Sequence, residues 1–218
     1  MSPLFLALQL FFVAGRERVA LNLDRSTEAS FSVESEVSFD DSITLHERQT
    51  RTGFLKESGF SILTVQQTVG AADRVSMSVV ETQDGTQHLE YVATNPASVK
   101  RSATGAEVPL SNWLTRVAPV ALHALATEGP VDPPFSLTAV TRFTVPKGLQ
   151  LVELDDVSET AAGLTWEQRV VQAQHHVEVT RHLSYRAHAI EPGQLSNLEA
   201  TLATWSALPQ SARLVRTR

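Results

Sequence analysis

The side chains of this sequence that could do chemistry are seven histidines, three tryptophans and the acid pairs Asp40-Asp41 and Asp155-Asp156. His175 and His176 are neighbours, so on a strand they point to opposite faces and cannot together chelate one ion. His176, His182 and His188 share a strand face but sit six residues apart. At roughly 3.3 Å per residue each gap is about 20 Å, far beyond a coordination sphere with metal–nitrogen bonds of about 2 Å. They read as solvent-facing strand histidines, and no metal site is expected. Each acid pair is explained by turn chemistry. A glycosidase needs two carboxylates facing each other across a cleft, which sequence neighbours in a turn do not provide. Trp113, Trp166 and Trp205 could line a sugar or peptide groove, but tryptophans more often pack in a core.

The chain has no cysteine, which removes disulfides, thiolate nucleophiles and cysteine-ligated zinc or iron–sulfur sites. It contains no G-x-S-x-G elbow, no glycine-rich phosphate loop and no H-E-x-x-H helix. No catalytic, cofactor-binding or metal-binding residue is therefore assigned. A net charge of −6 and a pI near 5.6 oppose nucleic-acid binding, and the basic residues come in pairs (Arg16/Arg18, Lys100/Arg101) rather than patches.

The elements that would carry these residues are mostly strands. Hydrophobic residues at 42% and charged residues at 19% suit a buried core. Val19, Leu21 and Leu23 alternate with polar neighbours, as do Phe31, Val33, Val37 and Phe39. Asp24 to Thr27 and Asp40-Asp41 supply turns, and a third strand from Ile43 runs out in charge at His46 to Arg48. Phe54 to Phe60 reads as a helical turn or loop, and Ile62–Val69 with Val75–Val80 as a β-branched hairpin. Asp84-Gly85 is a turn into a strand at Gln87 to Ala93, after which Ser98 to Glu107 is loop-like. Trp113 to Ala126 has a helical apolar face that Pro119 interrupts.

Gly129 to Pro134 carries three prolines in six residues and marks a boundary. Beyond it, Phe135, Leu137, Ala139, Phe143 and Val145 alternate, and Leu164 to Gln172 pairs with Val177 to Ala189 as a long hairpin around Ala173 to His175. In the second strand Val177, Val179, Leu183 and Tyr185 share the buried face, leaving Glu178, Thr180, His182, Ser184, Arg186 and His188 to solvent. Pro192 opens a helix with Leu195, Leu198, Leu202 and Trp205 on one stripe, Pro209 stops it, and Ala212 to Arg218 is a last strand. The expected fold is mainly β, of the antiparallel β-sandwich type, with two β subdomains and a C-terminal helix packed on the second. Residues 1–16 form a signal or lead segment or a first strand, 17–128 a β-rich subdomain, and 135–218 a hairpin/helix/strand subdomain.

Pro3 to Ala14 is strongly apolar but too short to span a bilayer of about 30 Å, so no transmembrane helix is expected. It suits the core of an export signal followed by small residues, although no Lys or Arg precedes it.

The segments Phe143 to Gly148 (FTVPKG), Gly163 to Val171, Val179-Thr180-Arg181-His182-Leu183 and Ile190-Glu191-Pro192 resemble the C-terminal β-sandwich region of bacterial transglutaminase-like proteins. Leu21 to Asp24 with Ala29 to Val33 is similar to the first strands of that region. The resemblance implies a flanking module of unassigned activity, without the cysteine–histidine–aspartate core. Three functions are then open. The first is a non-catalytic module of the bacterial envelope (periplasmic) or of an exported complex, binding a protein or peptide partner such as a transglutaminase-like or membrane protein. The second is a small β-scaffold hydrolase or carbohydrate-active enzyme. The third is a periplasmic carrier of an apolar ligand, which calls for a sizeable apolar cavity.

Overall fold

A computed structural model describes residues 29–53, 55, 62–83, 85–111, 113–114, 117–119, 122, 135–161, 163–185 and 193–217. The first half contains β1 (Ala29–Phe39), β2 (Ile43–Arg51), α1 (Ile62–Val69), β3 (Arg74–Glu81), β4 (Gln87–Thr94), β5 (Lys100–Ser102) and β6 (Gly105–Pro109). The second contains β7 (Phe135–Thr144), β8 (Leu149–Leu151), β9 (Val157–Ala161), β10 (Leu164–Ala173), β11 (His176–Tyr185), α2 (Gln194–Ser206) and β12 (Ser211–Arg216). The apolar run at Pro3 to Ala14, the boundary at Gly129 to Pro134, and Arg186, His188 and Pro192 lie outside the described residues.

The fold is mainly β and built from two sheets. Eight strands run in the order β3-β4-β2-β1-β7-β11-β10-β9, and four in the order β5-β6-β12-β8. The described strand pairs are antiparallel except one: β1 and β7 lie parallel, Ala29 opposite Phe135 and Val37 opposite Phe143. That pair joins strands from both sides of the proline-rich boundary into one sheet, and the small sheet mixes the two sides as well. In β6, a Cβ on Gly105 would lie 2.0 Å from the Leu214 carbonyl oxygen, so only glycine lets β12 approach that closely.

Alternation gives the large sheet an inner, apolar face and an outer face rich in Ser, Thr, Glu, Arg and His. The inner face is covered by two different lids. Over one half lie the helical residues Trp113, Leu114, Val117 to Pro119 and Leu122 together with α2. They pack on Phe31, Val33, Phe135, Leu137, Leu164, Trp166, Leu183 and Tyr185. Trp205 of α2 stacks on Trp166 with ring centroids 5.8 Å apart, and Leu198 and Leu202 are buried with it. Over the other half lie α1 and the small sheet, closing on Val37, Leu45, Leu89, Tyr91, Phe143, Val177 and Val179. The small sheet facing the large one is the sandwich-like part of the fold.

Three local expectations are corrected. Ile62–Val69 is helical, with Val65 and Val69 buried one turn apart; its β-branched content is overridden by the chance to bury that stripe. Ser98 to Glu107 contains β5 and β6, whose polar side chains sit on a partly wet sheet. The strand from Ile43 does not end in charge at His46 but continues to Arg51 with Glu47, Gln49 and Arg51 buried. The expected hairpin around Ala173 to His175 is present, with Ala173 opposite His176 and Gln174 at φ +56°.

Because Trp205 is buried and bonds through its indole N–H to Glu159 at 2.5 Å, Trp205→Ala is expected to cost about 3–5 kcal/mol. Urea unfolding of the two proteins checks this, and a loss below about 1 kcal/mol would remove α2 from the core.

Candidate functional site

The inner face of the large sheet is interrupted where its apolar alternation skips a step. Ser35 lies between Val33 and Val37, Thr141 between Ala139 and Phe143, and Arg181 between Val179 and Leu183, all buried. Glu47 stands opposite Ser35, which in turn stands opposite Thr141; Arg181 stands opposite Gln168. These residues form a polar row across five strands, and the two apolar clusters lie on either side of it.

Buried polar groups are costly unless satisfied, and the partners here come partly from within the sheet and partly from the chain that crosses between the lids. Glu47 Oε2 accepts the Ser35 hydroxyl at 2.9 Å, and Oε1 accepts the Gln49 amide at 2.6 Å and the Trp113 indole N–H at 3.0 Å. The Ser111 backbone N–H donates to Thr141 Oγ1 at 3.4 Å. Arg181 donates through Nε to Gln168 at 2.9 Å and also to the Pro209 carbonyl, while its guanidinium lies 5.9 Å from the Trp166 ring centroid. Gln168 donates to the Asp155 carbonyl at 2.8 Å.

Glu47 is only 2% exposed. Burial pushes its carboxyl above the ordinary value, and the donors from Gln49, Ser35 and Trp113 oppose that shift without cancelling it. Tyr91, opposite Glu47 on β4, is the titratable group facing it; its hydroxyl biases the carboxyl and is itself pushed upward by burial and by Glu47, yet it does not meet hydrogen-bond geometry. Among the described residues no cationic side chain forms an ion pair with Glu47. Burial lowers Arg181 to about 10, so it stays charged at neutral pH, three strands from Glu47.

Beside Glu47 is a cavity of about 110 Å³, lined by Ser35, Leu45, Gln67, Thr68, Pro109, Leu110, Ser111 and Gln210. Nothing in the sequence reading singled out Glu47. The skipped positions Ser35, Thr141 and Arg181 in otherwise regular apolar alternation were the available signal.

Of the residues that the sequence does single out, Trp113 reaches the row by its bond to Glu47 and Trp166 lies beneath Arg181, while the others are elsewhere. Trp113, Trp166 and Trp205 are buried and line no exposed groove. Asp40 and Asp41 occupy the bend between β1 and β2, and Asp156 accepts the Val170 backbone N–H at 2.7 Å. On the outer face His182 meets Thr138 at 3.0 Å, His88 meets Thr50 at 3.1 Å, His176 meets Thr144 at 3.4 Å, and His46 meets Glu90 at 2.6 Å. Each is satisfied by a neighbour on the adjacent strand. Among the described residues no group of three His, Asp or Glu side chains could hold a metal ion.

A second feature lies at the sheet edge. Among the described residues β3 pairs only with β4 in the large sheet, and it is exposed along its whole length. Val75, Met77 and Val79 stand opposite Ala93, Tyr91 and Leu89, so they belong to the inner face, but neither lid covers them. Val79 and Val80 are 57% and 56% exposed.

No protein-family model matches this chain, and no curated protein sequence is similar to it.

Raising the Glu47 carboxyl above 4.5 has a defined consequence for stability. The stabilisation tied to the neutral acid is complete below the ordinary carboxyl value and is lost as pH rises through the raised one. The stability of the wild type relative to Glu47→Gln is therefore expected to be greatest below the ordinary carboxyl range and to fall as pH rises above it. Paired urea titrations check this; parallel pH profiles for the two proteins would show that Glu47 titrates normally.

Proposed function

We propose that this chain is a non-catalytic β module that binds a protein or peptide segment as an added strand along β3. The observation that carries the reading is the edge of β3, which no other described strand pairs. An exposed strand offers unpaired backbone N–H and C=O groups, and adding a strand satisfies them in register. Here the eight-residue edge also presents Val75, Met77 and Val79 on one face, matching a partner with apolar residues at every second position. Most soluble proteins blunt such an edge with charge, proline or a covering loop. Between Arg74 and Glu81 this one has only Val, Ser and Met.

The competing readings have less to stand on. A carbohydrate-active enzyme called for an exposed aromatic groove, whereas the three tryptophans are core residues. A carrier of an apolar ligand called for a large apolar cavity, whereas the inner face is filled by side chains on both sides of the polar row. The cavity beside Glu47 is small and partly polar.

The setting we propose is the bacterial envelope or an exported complex, supported by the apolar run Pro3 to Ala14. Among the described residues no helix is long and apolar enough to cross a membrane. A transglutaminase-like or membrane protein fits as partner, supported by the resemblance of Phe143 to Gly148, Gly163 to Val171 and Val179 to Leu183, which lie on the adjacent strands β7, β10 and β11 and the turn after β7.

Selection from a displayed random-peptide library is expected to enrich extended peptides with apolar residues at alternate positions. Val79→Lys, which puts a charge on the exposed inner face of the edge, should weaken a selected peptide by about tenfold or more, roughly 1.4 kcal/mol, with the fold intact. Failure to enrich any such pattern, or equal binding by Val79→Lys, sinks the strand-addition reading. Export is checked separately by fusing residues 1–28 to alkaline phosphatase, which needs an oxidising compartment. Activity of the fusion in a bacterium is the expected result, and an inactive but intact fusion rules export out.

A further inference from the structure

The cavity beside Glu47 has a chemistry that follows from how its hydrogen atoms are already committed. Ser35 gives its hydroxyl proton to Glu47, so toward anything else it can only accept. Gln210 gives its amide hydrogens to the Ser206 and Leu208 carbonyls, so the group it has left to offer is its oxygen. Ser111 Oγ is buried and has no hydrogen-bond partner. Glu47 contributes a carboxyl that no cation neutralises among the described residues. Gln67, exposed on α1, is the remaining amide and offers both donors and an acceptor. The cavity thus carries one acid and the acceptor oxygens of Ser35 and Gln210, the Ser111 and Thr68 hydroxyls can serve as either donor or acceptor, and Leu45, Pro109 and Leu110 supply apolar wall.

We infer that this cavity binds a primary ammonium group on a short alkyl stem, presented by a lysine side chain or by a small free amine. An ammonium group is three donors and no acceptor, the complement of what Glu47, Ser35 and Gln210 present. A volume of about 110 Å³ equals the liquid share of three or four waters at about 30 Å³ each, room for the headgroup and a few methylenes but not for a drug-sized ligand. The apolar residues meet the stem, as they do for lysine stems laid along apolar surface. Neutralising a buried carboxylate gives the cation an attraction that water would screen at an exposed site. This site has no lining residue from β3 and does not rest on the strand-addition reading.

Calorimetric titration tests it, with butylammonium as the small amine, Nα-acetyl-lysine methylamide as the protein-like amine, and butanol as the uncharged control. At about pH 8 both amines are protonated, and Glu47, whose carboxyl burial pushes upward, is more ionised than at lower pH. Butylammonium is expected to bind the wild type, with butanol giving no heat. Glu47→Gln should weaken binding by about tenfold or more, since a charge-assisted bond is lost. Ser111→Leu, which fills the cavity without touching the donors to Glu47, should abolish it and covers the case in which Glu47→Gln misfolds. Binding of the lysine derivative as well assigns the site to a partner's lysine; binding of butylammonium alone assigns it to a free amine. No heat from either amine, or equal binding by wild type, Glu47→Gln and Ser111→Leu, overturns the inference.

Discussion

The polar row across the inner face of the large sheet is the constraint on which the rest of the molecule depends. A sheet that buries Ser35, Glu47, Thr141, Gln168 and Arg181 must bring partners to them, because each unsatisfied group costs about 1–3 kcal/mol and a charged one more. Some partners are neighbours within the sheet, and others arrive on the two segments that cross from one lid to the other. Between β6 and the helical residues, Ser111 bonds Thr141 and Trp113 bonds Glu47. Between α2 and β12, Pro209 accepts from Arg181. The two crossings are themselves tied together, the Leu110 N–H donating to the Gln210 carbonyl at 2.9 Å. Helical cover on one side and sheet cover on the other are therefore pinned to the same line of side chains.

The two buried charges on that row are held by different means. Arg181 keeps its charge by laying a weakly hydrated, planar cation over Trp166 and spending its donors on Gln168 and Pro209. Arg51, on the other side of the sheet's centre, also lies over a ring, Phe31 at 5.2 Å, and burial lowers it to about 10. Glu47 has no ring to lie on and must gather donors from three side chains, one of them on the lid. The acid end of the row is consequently the less settled end, and it is there that the cavity occurs. A polar core of this kind specifies register: sliding β2 by one residue would expose Leu45 and bring His46 and Arg48 inward.

How much of this was legible follows from what each signal depends on. Period-two alternation is local, so the strands Ala29–Phe39, Phe135–Thr144 and His176–Tyr185 and their apolar inner faces can be read directly, although Ser184, expected at solvent, is buried. So can the outward placing of His176 and His182, which pair with Thr144 and Thr138. The parallel seam of β1 and β7 joins residues more than a hundred positions apart, and no local pattern encodes it. Ile62–Val69 misleads because its β-branched residues favour a strand until a lid is needed over Leu45 and Tyr91. Glu47 is the instructive case. Within His46 to Arg48 it looks like the charged end of a strand, and only Ser35 directly opposite reveals that it points inward.

The same anchoring explains why the two edges of the large sheet differ. At one edge β9 is tied to the helical lid, Glu159 accepting from Trp205 and Val157 packing on the adjoining cluster. Toward the other edge, the lid contacts with the polar row end at Glu47 on β2, two strands short of β3. Tyr91 on β4 is the last large residue that the covering layer buries, and Met77, directly beside it on β3, is already exposed. The apolar alternation of the edge thus continues the core pattern past the point where the described residues supply a cover. A sequence that keeps Val75, Met77 and Val79 inward-facing on an uncovered edge retains an aggregation hazard that a single lysine would remove.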